Sequence, residues 1–388
     1  MAPQAAGAEA SELRRLLALV GAVVFVDTIF FAALTPLLPH YAHELGLSKA
    51  GAGVLQAAYP AGSLLGALPA GFVAARMGVK RTVLVGLCSI AVTSVLFGFA
   101  ESAWQLDAAR LLQGLSSGFT WTGSLAWLVA AAPAQRRGEV IGTVFGIAIG
   151  GALFGPVLGG IASKVGTGPA FTAVAVAALA QAIWALRTPA AARDEPQPVS
   201  RLFAAFRDRR ILAGSWFTML PAILFSTLGV LGPLRLSALG FGSLAIGATW
   251  LVSAGLEAML SPTLGRISDR RGRVLPIAVG LGCSAVVLLV LPWPRADWLL
   301  AVLVVCAGLA FGSFWTPAMS LLADAAEARG LSHGWGFAIL NLAWAPGQTF
   351  GASAGGAIAK ATSDKAVYLG LSAICAASLI GLLRRRRL

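Results

Sequence analysis

The chain of 388 residues has few charges: Asp, Glu, Lys and Arg together make up 12% of it, against roughly 25% in soluble domains. This composition excludes a soluble fold for the whole chain. Cysteine and histidine are also scarce, with four and three copies. Each cysteine falls in a different apolar stretch, which favours buried small side chains over a disulfide framework. His40 and His43 are interpreted as interfacial, so we predict no metal site and no cofactor.

Other absences narrow the function. The sequence has no Gly-rich phosphate loop followed by a lysine, and no loop except the central one exceeds about a dozen residues, so there is no room for a nucleotide-binding domain. Active transport would then need an ion gradient. No nucleophile–base set is evident, which makes a membrane enzyme the least favoured alternative.

Apolar residues dominate instead, at 57% of the chain with a mean hydropathy of +0.81. Stretches of about 20 residues, each able to span a bilayer core, recur along its whole length. They predict an all-α integral membrane protein with about twelve transmembrane helices, at 16–38, 51–74, 80–100, 104–131, 138–162, 168–186, 211–233, 243–264, 274–292, 297–322, 335–359 and 366–383.

The net charge of +13 is distributed unevenly. If residues 1–15 are cytoplasmic, the inner segments hold 22 of the 29 lysines and arginines, the outer loops six, and a span one, Arg110. The positive-inside rule then predicts a multi-pass protein of the cell membrane (inner or plasma membrane) with both termini in the cytoplasm. This pattern argues against a nucleic-acid partner. Arg14 and Arg15 precede an apolar run too long for a signal peptide, which predicts an uncleaved first helix.

Small residues recur within the fifth predicted span, whose residues 142–160 read GTVFGIAIGGALFGPVLGG. So many glycines in one membrane helix indicate close approach to a neighbour, and Pro156 adds a kink. The segment resembles the antiporter motif of the major facilitator superfamily through Gly142, Gly151, Gly155, Pro156, Gly159 and Gly160. Small-residue packing in another kind of membrane protein is the alternative. We expect Gly155 and Gly159 to press against a helix of the other half of the chain.

The loop after the second span resembles another signature of that superfamily. Five of its positions match, namely Gly71, Arg76, Gly78, Lys80 and Arg81, but Ala75 stands where the family has Asp. A second copy keeps the acid, at Gly265, Asp269, Arg270, Gly272 and Arg273. In the family this loop latches the cytoplasmic side through charge pairs and helix-end dipoles. Each copy alone could be a topology anchor.

The two loop copies are one of three echoes that indicate a duplication. The loops lie 194 residues apart, as do Trp121 and Trp315, and GALFGPVLGGIASK recurs as GQTFGASAGGAIAK 196 residues later. We therefore predict the parallel repeat of the major facilitator fold, with the site between two six-helix halves. The halves are 1–187 and 211–388. The linker, 188–210, ends either in a basic amphipathic helix on the inner leaflet or in a solvated loop.

Ionisable residues inside spans are the candidates for coupling. Asp27 lies near the middle of the first span, where desolvation favours protonation of a carboxyl group and suits a proton carrier. Arg110 belongs to an Arg-x-x-Gln-Gly stretch that resembles a further family signature. Glu257, in the eighth span, is either a cavity carboxylate or a structural partner. Structural roles for Asp27 and Arg110 are the alternatives.

Polar and aromatic faces of the spans suggest a binding wall. Arg110, Gln113, Ser117, Trp121 and Ser124 share one helix face, as do Trp250 and Glu257 on another. Simple packing is the alternative on the eleventh span. The predicted substrate-binding residues are Phe31, Tyr59, Gln113, Ser117, Trp121, Trp250, Trp315, Asn341, Trp344 and Gln348.

The whole chain resembles the drug:proton antiporters of the superfamily, with partial similarity to the vesicular amine transporters. That similarity rests on Asp27 with its Pro36 and Pro39 spacing, and on residues 337–361. Asn341 and Tyr59 stand where the amine transporters have Asp and Lys.

The resemblance implies a monomeric, proton-coupled exporter of small lipophilic or aromatic solutes, cationic ones among the candidates, with protons and membrane lipids as partners. The alternatives are a sugar or metabolite exporter, a lipid flippase, and a sensor without net transport.

Overall fold

The computed structural model describes residues 2–133, 136–190, 199–331 and 333–385, and it is helical throughout with short connections. The elements run α1 (Ala2–Ala32), α2 (Leu34–Glu44), α3 (Lys49–Met77), α4 (Val79–Gly98), α5 (Ala103–Ala131), α6 (Arg137–Val165), α7 (Thr167–Arg187), α8 (Val199–Ala205), α9 (Arg209–Ala238), α10 (Ser243–Arg271), α11 (Val274–Val290), α12 (Asp297–Ala328), α13 (His333–Ala361) and α14 (Asp364–Arg385).

The predicted all-α membrane fold is confirmed. Helices α1 and α2 together form the first predicted span, α3 to α7 the next five, and α9 to α14 the last six. Nine helices of the described residues are long and apolar enough to cross a membrane, and α11 is a shorter apolar helix. Helices α5 and α13 fall short of that criterion. In α5 the reason is its polar residues, among them Arg110 and Gln113, which are buried inside the protein.

A break divides the first span. The single residue Ala33 separates α1 from α2, and Pro36 follows three residues later. Proline has no N–H to donate to the carbonyl four residues before it and clashes with that carbonyl, so the regular hydrogen bonding of the helix is interrupted here. The two pieces cover Ala2–Glu44, a longer range than the predicted 16–38.

The linker carries a shorter helix than its sequence suggested. Residues 191–198 lie outside the described part, and α8 ends at Ala205. Leu202 of α8 is buried, whereas Phe203 is exposed. Asp208 accepts hydrogen bonds from the backbone N–H of Arg210 at 2.7 Å and from Nε of Arg329 at 2.6 Å. These two contacts lower the pKa of the Asp208 carboxyl and attach the start of α9 to the end of α12.

The glycines of the antiporter motif pack within the first half, so the predicted partner was wrong. A Cβ added at Gly155 would contact Ala32 and lie 2.8 Å from the carbonyl oxygen of Ile29, both on α1. One added at Gly159 would meet Ala33 and Pro36 at the break. Gly151, Gly155 and Gly159 are spaced four residues apart and share the face of α6 that meets α1. The neighbouring face of α6, with Gly160, contacts the other half through Leu244.

The second half repeats this seam. Gly347, Gly351 and Gly355 of α13 meet Met219, Ile223 and Thr227 of α9. The contacts of α6 with Phe25, Ile29 and Ala33 correspond to these at offsets of 196 residues on one side and 194 on the other. The duplication inferred from three sequence echoes therefore extends to individual backbone contacts.

Gly155→Leu tests the α1–α6 seam. The added side chain has no space, and overpacking of a tight interior costs about 1–3 kcal/mol, so we expect a lower melting temperature in detergent and loss of transport. Gly142→Leu is the matched control on the same helix, because no atom lies within 4 Å of a Cβ added there. An equal melting temperature for both variants would show that the seam is loose.

The halves meet each other at the end of the bundle opposite the two termini, which we call the outer end. A Cβ at Gly53 of α3 would lie 2.5 Å from the carbonyl oxygen of Ala352 on α13. Its repeat equivalent Gly247 on α10 would lie 2.8 Å from that of Pro156 on α6. Lys49 at the start of α3 and Asp364 at the start of α14 form an ion pair of 2.5 Å, which joins the halves beside the contact between α3 and α13.

The two signature loops lie at the opposite, inner end. Gly78 and Gly272 have φ of 91° and 82°, values that favour glycine. Lys80 donates to the carbonyl oxygens of Leu186 and Thr188, both at 2.8 Å, at the end of α7. The side chain of Asp269 lies outside the described part, so its proposed role in a latch stays a prediction. In the same loop Nε of Arg273 donates to Asp324 at 3.2 Å.

Candidate functional site

Asp27 is the centre of a buried hydrogen-bond cluster in the middle of the first half. Its Oδ2 accepts hydrogen bonds from the hydroxyl of Tyr59 at 2.9 Å, the hydroxyl of Ser117 at 2.8 Å, and Nε1 of Trp121 at 2.8 Å. Only 3% of Asp27 is exposed. The donors come from α3 and α5, so three helices must be packed correctly to build the cluster.

The distribution of these bonds on the carboxyl group is uneven. All three donors reach Oδ2, whereas no hydrogen-bond donor among the described residues reaches the buried Oδ1. No basic side chain of the described residues forms an ion pair with Asp27. Neutral donors thus hold the group in place, and one of its two buried oxygens has no hydrogen-bond partner among the described residues.

Arg110 lies beside this cluster at the break in the first span. Its guanidinium donates to the carbonyl oxygens of Phe30 at 3.3 Å and Phe31 at 2.8 Å, and to Oε1 of Gln113 at 3.3 Å. A cation at the C-terminal end of a helix is also stabilised by the negative end of the helix dipole. Arg110 therefore supports the end of α1, and its contact with the Asp27 cluster runs through the ring of Tyr59, 4.9 Å away.

Gln113 extends this support to a third helix. It accepts the bond from Arg110 and donates through Nε2 to the carbonyl oxygen of Thr93 on α4 at 3.1 Å. Both side chains are fully buried. Gln113 thus holds Arg110 in position, and its predicted role as a substrate ligand stays a prediction.

Arg110→Lys tests whether the guanidinium geometry matters. Lysine keeps the charge but lacks the planar fork that reaches two carbonyl oxygens and an amide at once. We expect transport to fall at least tenfold while the protein still inserts and folds. Transport in proteoliposomes and the melting temperature should both be measured. Unchanged transport would show that Arg110 contributes only charge.

Phe31 connects the cluster to the second half. Its ring lies 5.0 Å from that of Tyr59 and 5.9 Å from that of Trp344 on α13. Phe31, Trp121 and Trp344 are all partly exposed. An aromatic wall contributed by both halves therefore adjoins the Asp27 carboxyl group.

A second aromatic group lies in the other half. Trp315 of α12 is 6.0 Å from Phe225 of α9, which is 5.5 Å from Phe311. Trp315 is partly exposed, as is Trp121, its repeat equivalent. The two tryptophans occupy matching positions in the duplicated halves.

The remaining predicted residues are more scattered. Trp250 packs against α9, where its ring would meet a Cβ added at Gly232. The carboxyl group of Glu257 packs on Gly312 of α12. Asn341 is partly exposed and Gln348 is buried, within about one turn of Trp344 on either side. Their assignment to a binding wall stays a prediction.

Sequence reasoning missed several residues that matter here. Phe30 and Phe97 lie 5.5 Å and 5.7 Å from the Arg110 guanidinium carbon, and with Tyr59 they surround it with rings. Phe225 was missed because one phenylalanine among 19 has no distinguishing pattern. Lys49 and Asp364 each begin a helix after an outer loop, and nothing in either neighbourhood indicates the other.

Helical halves with repeated contacts, a buried carboxylate and partly exposed aromatic side chains form an arrangement typical of membrane transporters. The sequence profile described as Major Facilitator Superfamily matches residues 20–347 and 258–387. The chain belongs to the major facilitator superfamily. It is a multi-pass membrane protein and a transporter rather than an enzyme, and transporters of this superfamily bind small-molecule substrates.

Curated relatives are similar at low identity. The multidrug resistance protein MdtG of Salmonella arizonae is 28% identical over 319 residues, which cover 77% of this chain and 78% of that protein. MdtG of Proteus mirabilis is 29% identical over 281 residues, covering 66% and 68%. The MFS-type transporter ppzB of Metarhizium rileyi is 31% identical over 170 residues, covering 42% of this chain and 35% of that protein.

Solved structures share the fold. The nucleoside transporter NupG superposes with a TM-score of 0.76 over 95% of this chain and 98% of that one, at 12% identity. A POT family transporter gives 0.75 over 95% of each chain, also at 12% identity. Similarity at this level of identity shows the architecture only.

Proposed function

We propose that the protein is a proton-coupled antiporter that exports small lipophilic or aromatic solutes, cationic ones included. The observation that carries the proposal is the Asp27 carboxyl group, held at Oδ2 by three neutral donors and without a donor at Oδ1. A proton and a cationic solute can each neutralise this carboxylate. Since one excludes the other, release of the proton is coupled to binding of the solute, and by linkage the reverse holds.

The aromatic wall supports the substrate class. Phe31, Trp121 and Trp344 present partly exposed rings beside the carboxylate. Rings of this kind bind flat apolar solutes, and a cation over a ring face gains about 0.5–2 kcal/mol. The name of the relative MdtG, a multidrug resistance protein, is consistent with this class.

The positions of the seams support alternating access. The halves pack together at the outer end through Gly53 and Gly247. At the inner end, no atom lies within 4 Å of a Cβ added at Gly71 of α3, Gly142 of α6 or Gly265 of α10. This is the arrangement expected when the central site opens toward the side of the termini, and exchange would require the outer seams to open.

Glu257 is proposed as a second protonation site, in the other half. Its carboxyl group lies against the backbone of α12 at Gly312, one helical turn from Trp315. Burying a charged carboxylate against a helix costs more free energy than burying the neutral acid. Its protonation would therefore respond to movement of α10 against α12.

The proposal includes topology and assembly. The excess of basic residues on the inner segments assigns both termini to the cytoplasm. The halves 1–187 and 211–388 together enclose the site within one chain, so we propose a monomer as the working unit, with membrane lipids as its other partners.

The direct test is flux in proteoliposomes with tetraphenylphosphonium, a lipophilic aromatic cation, as the probe. An imposed pH gradient should drive the probe to a higher concentration on the side from which protons leave, and collapse of the gradient by an ionophore should stop accumulation. Accumulation that persists after collapse would contradict proton coupling. Binding without any flux would indicate a sensor.

A further inference from the structure

A crevice of about 710 Å³ lies between α9, α12 and α14, at the inner end of the second half. Its wall is apolar, with Leu212, Phe217 and Leu321 among the lining residues, and Arg209 lies at its end nearest the linker. It is separate from the Asp27 site, which belongs to the first half. A volume of this size suits a small ligand or a lipid chain.

The duplication shows how the lining of the crevice differs from the first half. Helices α1 and α9, like α5 and α12, correspond at an offset of 194 residues. At this offset Leu321 corresponds to Trp127, and Ala213 corresponds to Leu19. In the first half Trp127 and Leu19 are each 1% exposed and belong to one packed core cluster. The second half has smaller side chains at both positions, so its wall recedes at these two points.

Three substitutions on α9 run in the opposite direction, because Leu212, Trp216 and Phe217 are larger than the first-half residues Ala18, Ala22 and Val23. Trp216 stands where the first half has Ala22, but its Nε1 donates to the hydroxyl of Ser378 on α14 at 3.1 Å. This bond holds the indole along one wall. The crevice therefore combines an apolar wall with a positioned aromatic ring near the membrane interface, where indole rings are favoured.

The mouth of the crevice is basic. Arg207, Arg209 and Arg210 are exposed around the start of α9. Asp208, the acid among them, is engaged by the backbone N–H of Arg210 and by Arg329. The exposed Phe203 of α8 lies a few residues before this cluster and suits an interfacial position. The charge here complements an anionic headgroup at the inner surface, where juxtamembrane arginines attract acidic lipids.

We propose that the crevice binds one anionic phospholipid, with an acyl chain along α9 and α14 and the headgroup phosphate on Arg209. The inference goes beyond the proposed transport function, because neither the crevice nor Arg209 touches the Asp27 site. In the first half, Leu19 and Trp127 are packed at the positions of Ala213 and Leu321. The lipid would link the linker end of α9 to α12 and α14.

The test is native mass spectrometry of the full chain in detergent, with phosphatidylglycerol and phosphatidylcholine of the same acyl chains. For the wild type we expect at least tenfold tighter binding of one phosphatidylglycerol. Arg209→Gln should abolish this preference while phosphatidylcholine binding stays the same. Ala213→Leu, which restores the first-half residue, should weaken both lipids. Arg15→Gln is the matched control, because Arg15 is the exposed repeat equivalent of Arg209.

Three results would overturn the proposal. The wild type could bind both lipids equally, or Arg15→Gln could reduce the preference as much as Arg209→Gln does. Tetraphenylphosphonium could displace the lipid stoichiometrically, which would assign the crevice to the substrate instead. Because binding is read without any flux, failure here is distinguishable from failure of the antiport proposal.

Discussion

Asp27→Asn is expected to abolish accumulation of a substrate against its gradient while downhill exchange persists. Asparagine has nearly the same shape as aspartate, and its side-chain oxygen can still accept bonds from Tyr59, Ser117 and Trp121, so the helix packing around it is retained. What is lost is the ability to exchange a proton, and with it the coupling. Uptake of tetraphenylphosphonium should be measured in proteoliposomes with and without an imposed pH gradient.

Asp107→Asn is the control for this experiment. Asp107 is an acid on α5, and it lines a separate crevice with Val54 and Ser353 near the outer end. The same change of carboxyl to amide there should leave gradient-driven accumulation intact. Undiminished accumulation in Asp27→Asn would assign coupling to another group, with Glu257 as the first to examine.

The second large effect is expected at the outer seam. Gly356 of α13 packs directly on the backbone of α3 at Lys49 and Gly53, so Gly356→Leu leaves no space for the closed seam. Overpacking of about 1–3 kcal/mol would shift the balance between conformations toward the outward-open one by a factor of about 5 to 150. Transport should fail because the outer side no longer closes.

Spin labels across the outer face can measure that shift. Glu101 and Thr362 are exposed and lie in outer loops of the first and second halves, so cysteines at these positions, in a chain without its four native cysteines, report the opening. We expect a longer distance between the two labels in Gly356→Leu than in the wild type. Gly370→Leu should keep the wild-type distance, because no atom lies within 4 Å of a Cβ added at Gly370. Identical distributions in both variants would show that the seam does not hold the outer side closed.

Loss of the Lys49–Asp364 ion pair should also favour the outward-open conformation, but less strongly than Gly356→Leu does. Exposed pairs contribute about 0–1 kcal/mol, and Lys49 is 40% exposed. Asp364→Asn should therefore cause only a small change in the same distance measurement. A change larger than that of Gly356→Leu would give the ion pair, rather than the backbone packing, the main role.

Properties that depend on composition and periodicity could be predicted from the sequence. Twelve membrane-length units follow from apolar runs, and the two halves follow from repeated motifs at constant offsets. Asp27 and Arg110 were identified because a charge within a span has a high cost and requires a reason. Tyr59, Ser117 and Trp121 were among the predicted residues, although nothing in the sequence shows that all three bind one oxygen of Asp27.

Contacts between distant segments could not be predicted in this way. The antiporter motif indicates close packing, but not which helix Gly155 meets. That partner depends on the rotation of α6, which turns Gly151, Gly155 and Gly159 toward α1 and Gly160 toward α10. Lys49 and Asp364 are 315 residues apart, and their pairing depends on how the halves close. The crevice at Ala213 and Leu321 depends on how side chains of three distant helices pack, which the sequence does not show.

The most direct test of proton-coupled antiport is the reverse reaction. A gradient of tetraphenylphosphonium is imposed across proteoliposomes that start at equal pH, with a pH-sensitive dye inside. If proton and solute exchange at Asp27, linkage requires the solute gradient to drive protons in the opposite direction, and the internal pH should change in wild type but not in Asp27→Asn. Movement of the probe with no change of internal pH in the wild type would contradict the account.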